Sequence, residues 1–397
     1  MENFVYYIPT KVFFGKGQIK NLSASIKNAK GSRVLLAYGG GSIKKNGIYD
    51  DVTKELKKAG ITYFELSDIK PNPRIESVHE GIDICRKNKI DFILAVGGGS
   101  TVDACKAISA GVNYKGDVFD LIQGKEEVKT ALPIGAVLTL AATGTEMDCL
   151  GVISVGSNHK KYAIRGEKLY PTFSILDPQY TTTVSKYQTI AGCSDILSHL
   201  MEQYFVPAEY TYVQDAMNEG IMKTVIEYAP KLLGNLTDYN LRSVIMWASS
   251  MALAGVQFGL GKNGNWSVHA MGHEVSSLLD MTHGVTLALI TPSWMRHIIK
   301  KHPKHTGLFA KFGRNVFGVK EKEDKTAAEQ GIKKLEQFYA GIGIPKNLKD
   351  AGVPKDKLRY LAKKAVERGP VGAYQLNEDD VHAILNNAYA PKTSVVI

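Results

Sequence analysis

The sequence predicts an α/β dinucleotide-binding domain followed by an all-α domain. Three observations carry that expectation. Short apolar runs alternate with helical periodicity from Arg33 to Asp177. Beyond Thr183 that alternation stops and long 3.6-residue periodicity takes over. Two GGGS turns, at Gly39–Ser42 and Gly97–Ser100, each follow an apolar run. The 397-residue length also exceeds the roughly 250–300 residues at which single cores stop growing. The expected division is 1–183 for the α/β domain and 184–397 for the helical domain.

Each element follows from its local pattern. The runs RVLLAY (33–38), ITYFEL (61–66), DFILAV (91–96) and PIGAVLT (133–139) read as buried strands of a parallel sheet. Helical patterns fill 43–58, 74–89 and 100–111 between them. GVISV (151–155) and FSILDP (173–178) are further strands. After PQYTTTVSK (178–186), helices are expected at 185–205, 212–234, 240–259, 266–279, 285–300, 325–341 and 355–367. The apolar run FVYYIPTKVFF near the N-terminus reads either as an edge strand or as an interface strand of a homodimer.

With 44% hydrophobic and 22% charged residues, the chain can bury a large core. The net charge of +10 is not gathered into a nucleic-acid motif. KKHPKH (300–305) and KEKEDK (320–325) are broken by His, Pro or Glu and read as solvated surface. The positive field suits an anionic cofactor better. Cys85, Cys105, Cys149 and Cys193 show no CxxC pairing, so a reducing cytoplasm is expected. No run of about 18 apolar residues suggests a membrane span, and the N-terminus lacks the pattern of a signal peptide.

The glycine triplets let the backbone approach a ligand and place amide N–H groups at helix starts, an arrangement that favours phosphate. Neither matches GxGxxG. Two such turns in one α/β domain suit the two ends of a dinucleotide. TLAATGTEM (139–147), rich in Gly and Thr, can line the same crevice.

Asp195 and His199 lie four apart within AGCSDILSHLMEQYF, on one face of an otherwise apolar helix. His269, His273 and His283 fall close together in SVHAMGHEVSSLLDMTHG. Position 277 is Ser, which excludes an HExxH site. Asp195, His199 and two of those three histidines make a three-nitrogen, one-carboxylate set suited to Zn²⁺ or Fe²⁺. The alternative is a buried Asp–His hydrogen bond without metal.

TLAATGTEM, CSDILSHLMEQYF and VHAMGHE…THG resemble the iron-containing (group III) alcohol dehydrogenases. So do FFGKG, KPNP (70–73), VGGGSTVDACKAI (96–108) and LDP (176–178), in the same order along nearly the whole chain. YGGGSIKKNG and SHLMEQYF look most like the butanol dehydrogenase branch, which also contains NADPH-dependent aldehyde reductases. The resemblance implies the dehydroquinate synthase-like fold. It implies Asp195, His199, His269 and His283 as ligands of one divalent metal, and His273 as a histidine near the nicotinamide. It places Gly97, Gly98, Gly99, Ser100 and Asp103 around the pyrophosphate. Asn72, Thr139, Thr143 and Leu150, with the turn Gly39, Gly40, Gly41 and Ser42, join them around the cofactor. Asp148 and Trp266 are expected in the substrate pocket. Asp148 replaces an Asn common in the branch, and Asn265 in GNW stands where relatives often show Asp.

The implied activity is reversible hydride transfer between a nicotinamide and a primary alcohol or aldehyde, such as butanol and butyraldehyde. His273 would relay the proton. Gly40 stands where NAD-preferring relatives carry Asp. Room at that residue, the Ser42 hydroxyl and the charge of Lys44 or Lys45 favour NADP(H), with NAD(H) as the alternative. Rival readings are a polyol or sugar-phosphate dehydrogenase or cyclase of the same superfamily, and a non-catalytic nucleotide sensor. The mostly neutral stretches at 148–151 and 264–272 argue against a phosphorylated substrate.

Overall fold

The computed structural model describes residues 2–156, 160–255, 260–262 and 264–390. Two compact units divide the chain. One comprises Tyr7–Val184 with Leu236–Ser250, the other Met1–Tyr6, Ser185–Asn235 and Met251–Ile397.

The first unit is built on a six-stranded sheet. Its strands are β1 (Lys11–Phe14), β2 (Arg33–Tyr38), β3 (Thr62–Leu66), β4 (Phe92–Gly97), β5 (Ile134–Leu138) and β8 (Phe173–Leu176), in the order β1-β8-β5-β4-β2-β3. All five pairings are parallel. Both faces are covered, which is why the strands read as continuous apolar runs. Val34, Leu36, Leu94 and Val96 pack with Ile26, Val52 and Leu56 on one face. Leu35, Ala37, Ile93 and Ala95 pack with Val78, Ile82, Val102 and Cys105 on the other. The Ile48–Lys58 and Gly99–Val112 helices therefore lie on opposite sides of the sheet.

Strand order reverses between β2 and β4. From β2 the chain crosses to β3 on one side, and from β4 it crosses to β5 on the other. Open parallel sheets bind ligands outside the carboxyl ends of their strands at such a switch point. The turn at 39–41 leaves β2 there, and the turn at 98–99 leaves β4 beside it.

Three features differ from the sequence expectation. The helical run at 43–58 breaks at Gly47, whose φ of 81° is left-handed. The lysine-rich segment Lys160–Arg165 forms β7, antiparallel to β6 (Leu150–Val155). The Tyr239–Ser250 helix packs with the α/β unit, whereas periodicity alone grouped it with the helical domain. Arg242 donates to the carbonyls of Leu236 (2.8 Å) and Val184 (3.1 Å), and Trp247 meets Phe14 edge-on. The N-terminal run supplies edge strand β1.

The second unit is helical. Its central helix, Lys186–Tyr204, is buried at every residue from Thr189 to Tyr204. Tyr212–Gly234 and His283–Lys301 pack against it, and Ser267–Leu279, Asp324–Ile342 and Glu378–Tyr389 pack against His283–Lys301. The Thr306–Phe317 and Glu378–Tyr389 helices had no counterpart in the sequence reading. Among the described residues no helix is long and apolar enough to cross a membrane. All four cysteines are buried and outside any disulfide.

Candidate functional site

In the α/β unit the second glycine turn is held by its neighbours. A Cβ on Gly99 would lie 2.6 Å from the Thr143 hydroxyl, and one on Gly98 would lie 3.2 Å from Leu140. Glycine is required there because the 139–143 segment approaches so closely. The Thr139 amide donates to the Gly97 carbonyl at 3.0 Å. Gly97–Ser100, Thr139 and Thr143 thus form one patch at the start of a 14-residue helix. The first amides of a helix have no intrahelical acceptor and favour an anionic group.

Asp103 closes this patch from below. Its carboxylate accepts from Thr145 Oγ1 (2.6 Å) and the Val152 amide (2.9 Å). Desolvation pushes the carboxyl up to about 6, against the pull of Lys106. Leu150 donates its amide to Asp148 at 2.8 Å. The first turn differs, since a Cβ on Gly40 would meet nothing within 4 Å. Gly41 is left-handed, with φ of 87°. Asp68 and Ile69 donate to the carbonyls of Gly39 and Tyr38, which brings the Asn72 loop beside this turn. Asn72 itself has φ of 53°.

Asp148 was expected beside a substrate, but its side chain is 1% exposed and faces Lys106 at 2.5 Å. The Lys106 ammonium, fully buried, also donates to Thr145 O, Thr145 Oγ1 and Leu150 O. This pair stitches the Gly99–Val112 helix to the 145–150 segment.

In the helical unit, three helices bring side chains together. Asp195 and His199 project from the buried Lys186–Tyr204 helix. His269 and His273 lie on Ser267–Leu279, and His283 opens His283–Lys301. The approach depends on glycine. A Cβ on Gly284 would sit 2.0 Å from the Ala191 carbonyl oxygen, and one on Gly272 would sit 2.5 Å from Leu287.

Ligand atoms of Asp195, His199 and His269 all lie within 4.8 Å of one another, and all three residues are buried. The His199 and His269 rings are 4.9 Å apart, and those of His269 and His283 are 5.2 Å apart. The His273 ring lies 4.9 Å from that of His283, tilted by 31°, and stands farther from His269, at 6.2 Å. Trp266 packs edge-on against His269 at 5.2 Å and lines a cavity of about 610 Å³ with Val206, Lys262 and Asn265.

The donor set fits a divalent ion. His199 Nδ1 and His269 Nε2 are buried with no hydrogen-bond partner. Such groups ordinarily find a partner, and two imidazoles with a carboxylate are suitable ligands. Burial, together with the neighbouring His269, holds His199 well below its usual range, hence neutral, as ligation requires.

Sequence reasoning quoted Glu202 without assigning it a role. Its buried carboxylate accepts the His269 backbone amide at 2.8 Å and lies 3.2 Å from His269 Nδ1. Asn265 Nδ2 donates to the other oxygen at 2.6 Å, and the Asn265 amide donates to the Glu202 carbonyl at 2.7 Å. A proton kept on Nδ1 leaves the Nε2 lone pair for an ion. The i,i+3 spacing of His199 and Glu202 was the available signal.

Comparison with known proteins agrees with this geometry. Residues 9–178 match the family described as iron-containing alcohol dehydrogenase. Residues 189–389 match the C-terminal part of the Fe-containing alcohol dehydrogenase family. The chain is 46% identical over 393 residues to NADH-dependent butanol dehydrogenase A of Clostridium acetobutylicum, covering 98% of this chain and all of that one. It is 36% identical over 372 residues to the NADPH-dependent aldehyde reductase YqhD of Escherichia coli, covering 93% and 94%. The crystal structure of NADH-dependent butanol dehydrogenase A from Thermotoga maritima superposes with a TM-score of 0.92 at 38% identity, covering 98% and 99%.

Proposed function

The chain belongs to the iron-containing alcohol dehydrogenase family, and we propose from that premise that it interconverts small primary alcohols and aldehydes, such as butanol and butyraldehyde, using a nicotinamide dinucleotide and one divalent metal ion. The observation that carries this reading is the buried cluster of Asp195, His199 and His269 with His283 beside it. The names of the relatives support the reaction class.

When bound, the dinucleotide supplies hydride and the ion supplies Lewis acidity toward a carbonyl oxygen. The chain's own residues do the rest. Asp195, His199, His269 and His283 hold the ion, with Glu202 fixing the His269 ring. Fe²⁺ and Zn²⁺ both suit this set. Gly97–Ser100, with Thr139 and Thr143, receive the pyrophosphate, and the 39–42 turn receives the adenosine end. His273, at the rim of the cluster, passes a proton to the product oxygen, directly or through water. Trp266 walls the substrate cavity. The exposed Phe4, Val5, Tyr6 and Tyr7, leading into edge strand β1, support a homodimer.

The test follows nicotinamide absorbance with butyraldehyde, before and after chelation and after metal is restored. Turnover that is lost with chelator and regained with Fe²⁺ or Zn²⁺ is expected. Full turnover in chelated, metal-free protein would overturn the proposal.

A further inference from the structure

We infer that Glu65 sets the choice between the two nicotinamide dinucleotides, favouring NAD(H) by opposing a 2′-phosphate; the inference rests on the cofactor reading above.

Room at the first glycine turn is not the limiting factor. Gly40 is exposed, and nothing lies within 4 Å of where its Cβ would be. The deciding quantity is therefore the charge beside the turn. Of the two cations the sequence offers to a phosphate, Lys44 and Lys45, Lys44 is already engaged. Its ammonium lies 3.4 Å from Glu65 Oε2 and sits over the rings of Tyr38 (5.1 Å) and Tyr49 (4.7 Å). To reach a phosphate it must leave a carboxylate and two aromatic faces.

Glu65 is itself held in place. Tyr49 donates to Oε1 at 2.5 Å, and the Tyr38 hydroxyl donates to Oε2. Tyr38 is the residue from which the glycine turn departs. A carboxylate has about four acceptor positions, so one braced in this way still accepts ribose hydroxyls.

The topology places Glu65 where this discrimination operates. β2 borders the switch point, β3 is its outer neighbour, and Glu65 is the penultimate residue of β3. In doubly wound dinucleotide sites, an acidic residue accepts from the ribose hydroxyls of the adenosine end. Glu65 stands beside the 39–41 turn, which receives that end, through its contacts with Tyr38 and Lys44. The pair Glu65–Lys44 then presents no net positive charge to a 2′-phosphate, and the carboxylate repels it.

The experiment titrates NADH and NADPH into the full-length protein and follows nicotinamide fluorescence, which needs no turnover. Wild-type protein should bind NADH at least tenfold more tightly than NADPH. Glu65→Gln should lower that ratio by roughly tenfold to a hundredfold, chiefly by tightening NADPH binding. Adding Lys44→Ala to Glu65→Gln should remove most of that gain, because the freed ammonium is what the phosphate recruits. Lys44→Ala alone should change NADPH binding less than about threefold, since its charge is already neutralised. Tighter binding of NADPH by the wild type, or an unmoved ratio in Glu65→Gln, would overturn the inference. So would a large loss of NADPH affinity in Lys44→Ala alone. Binding of neither dinucleotide would overturn the cofactor reading as well. No turnover of butyraldehyde, with the ratio moving as stated, would overturn the proposed reaction and leave Glu65 standing.

Discussion

The two halves of the chain carry candidate sites made of different material. In the α/β unit the proposed dinucleotide surface is mostly main chain, at the glycine turns 39–41 and 97–99. In the helical unit the proposed metal site consists of side chains, Asp195, His199, His269 and His283, carried on three packed helices. A main-chain site has few side chains whose removal would abolish it, so it is vulnerable through what holds its backbone. A side-chain site is vulnerable at each ligand and at the groups that orient the ligands. In this chain the proposed chemistry therefore rests on buried polar supports, Lys106–Asp148 in one unit and Glu202–Asn265 in the other.

The hardest way to break the main-chain half is to remove Lys106. Lys106→Met leaves the Asp148 carboxylate buried and without its cation, and cutting a buried pair on one side costs about 3–5 kcal/mol. Denaturant melts should show that loss, together with weaker dinucleotide binding. Asp148→Asn should likewise lower stability and leave relative rates among aldehydes unchanged, because the side chain faces Lys106. A shifted aldehyde profile at unaltered stability would place Asp148 back at the substrate.

Glu202→Gln is the matching cut in the other half. Gln keeps the size and loses the charge that holds the His269 proton on Nδ1. Removal of such an outer partner typically weakens metal binding about 10- to 100-fold, which competition with a chelator measures directly. Unchanged metal affinity would reduce Glu202 to a packing role.

A smaller effect concerns pH. Burial would raise the Glu65 carboxyl, but hydrogen bonds from Tyr38 and Tyr49 and the Lys44 charge more than offset it. It therefore lies below the ordinary glutamate value. A depressed acid keeps its folded-state contribution until pH falls through that lowered value. NADH affinity should stay flat as pH drops from about 8 to about 5. A decline centred near pH 6 would point to another group at the ribose.

Much of this comparison was legible in the sequence, and unevenly so. The parallel sheet was readable because strands buried on both faces become uninterrupted apolar runs, as in DFILAV. The Asp195–His199 pair was readable because helical spacing converts directly into proximity. Glu202 lay in the same quoted helix, yet its partners Asn265 and His269 come from a distant segment that periodicity cannot bring near. Glu65 was hidden for the same reason. Its meaning depends on β3 lying outside β2, which the strand order supplies and a local reading of ITYFEL does not. The Tyr239–Ser250 helix showed its periodicity and not its unit, because Arg242 and Trp247 find their partners in the α/β fold.

The clustered histidines are proposed to divide their labour between holding an ion and relaying a proton, and metal content per chain separates the two roles. Wild-type protein, His269→Ala and His273→Ala would be purified without oxygen, and their iron and zinc measured alongside turnover. About one ion per chain is expected in wild type and in His273→Ala, whose turnover falls roughly tenfold or more as the proton relay is lost. Little or no metal and no activity are expected in His269→Ala. Equal loss of metal from the two variants would contradict the assignment of Asp195, His199, His269 and His283 as the ligands.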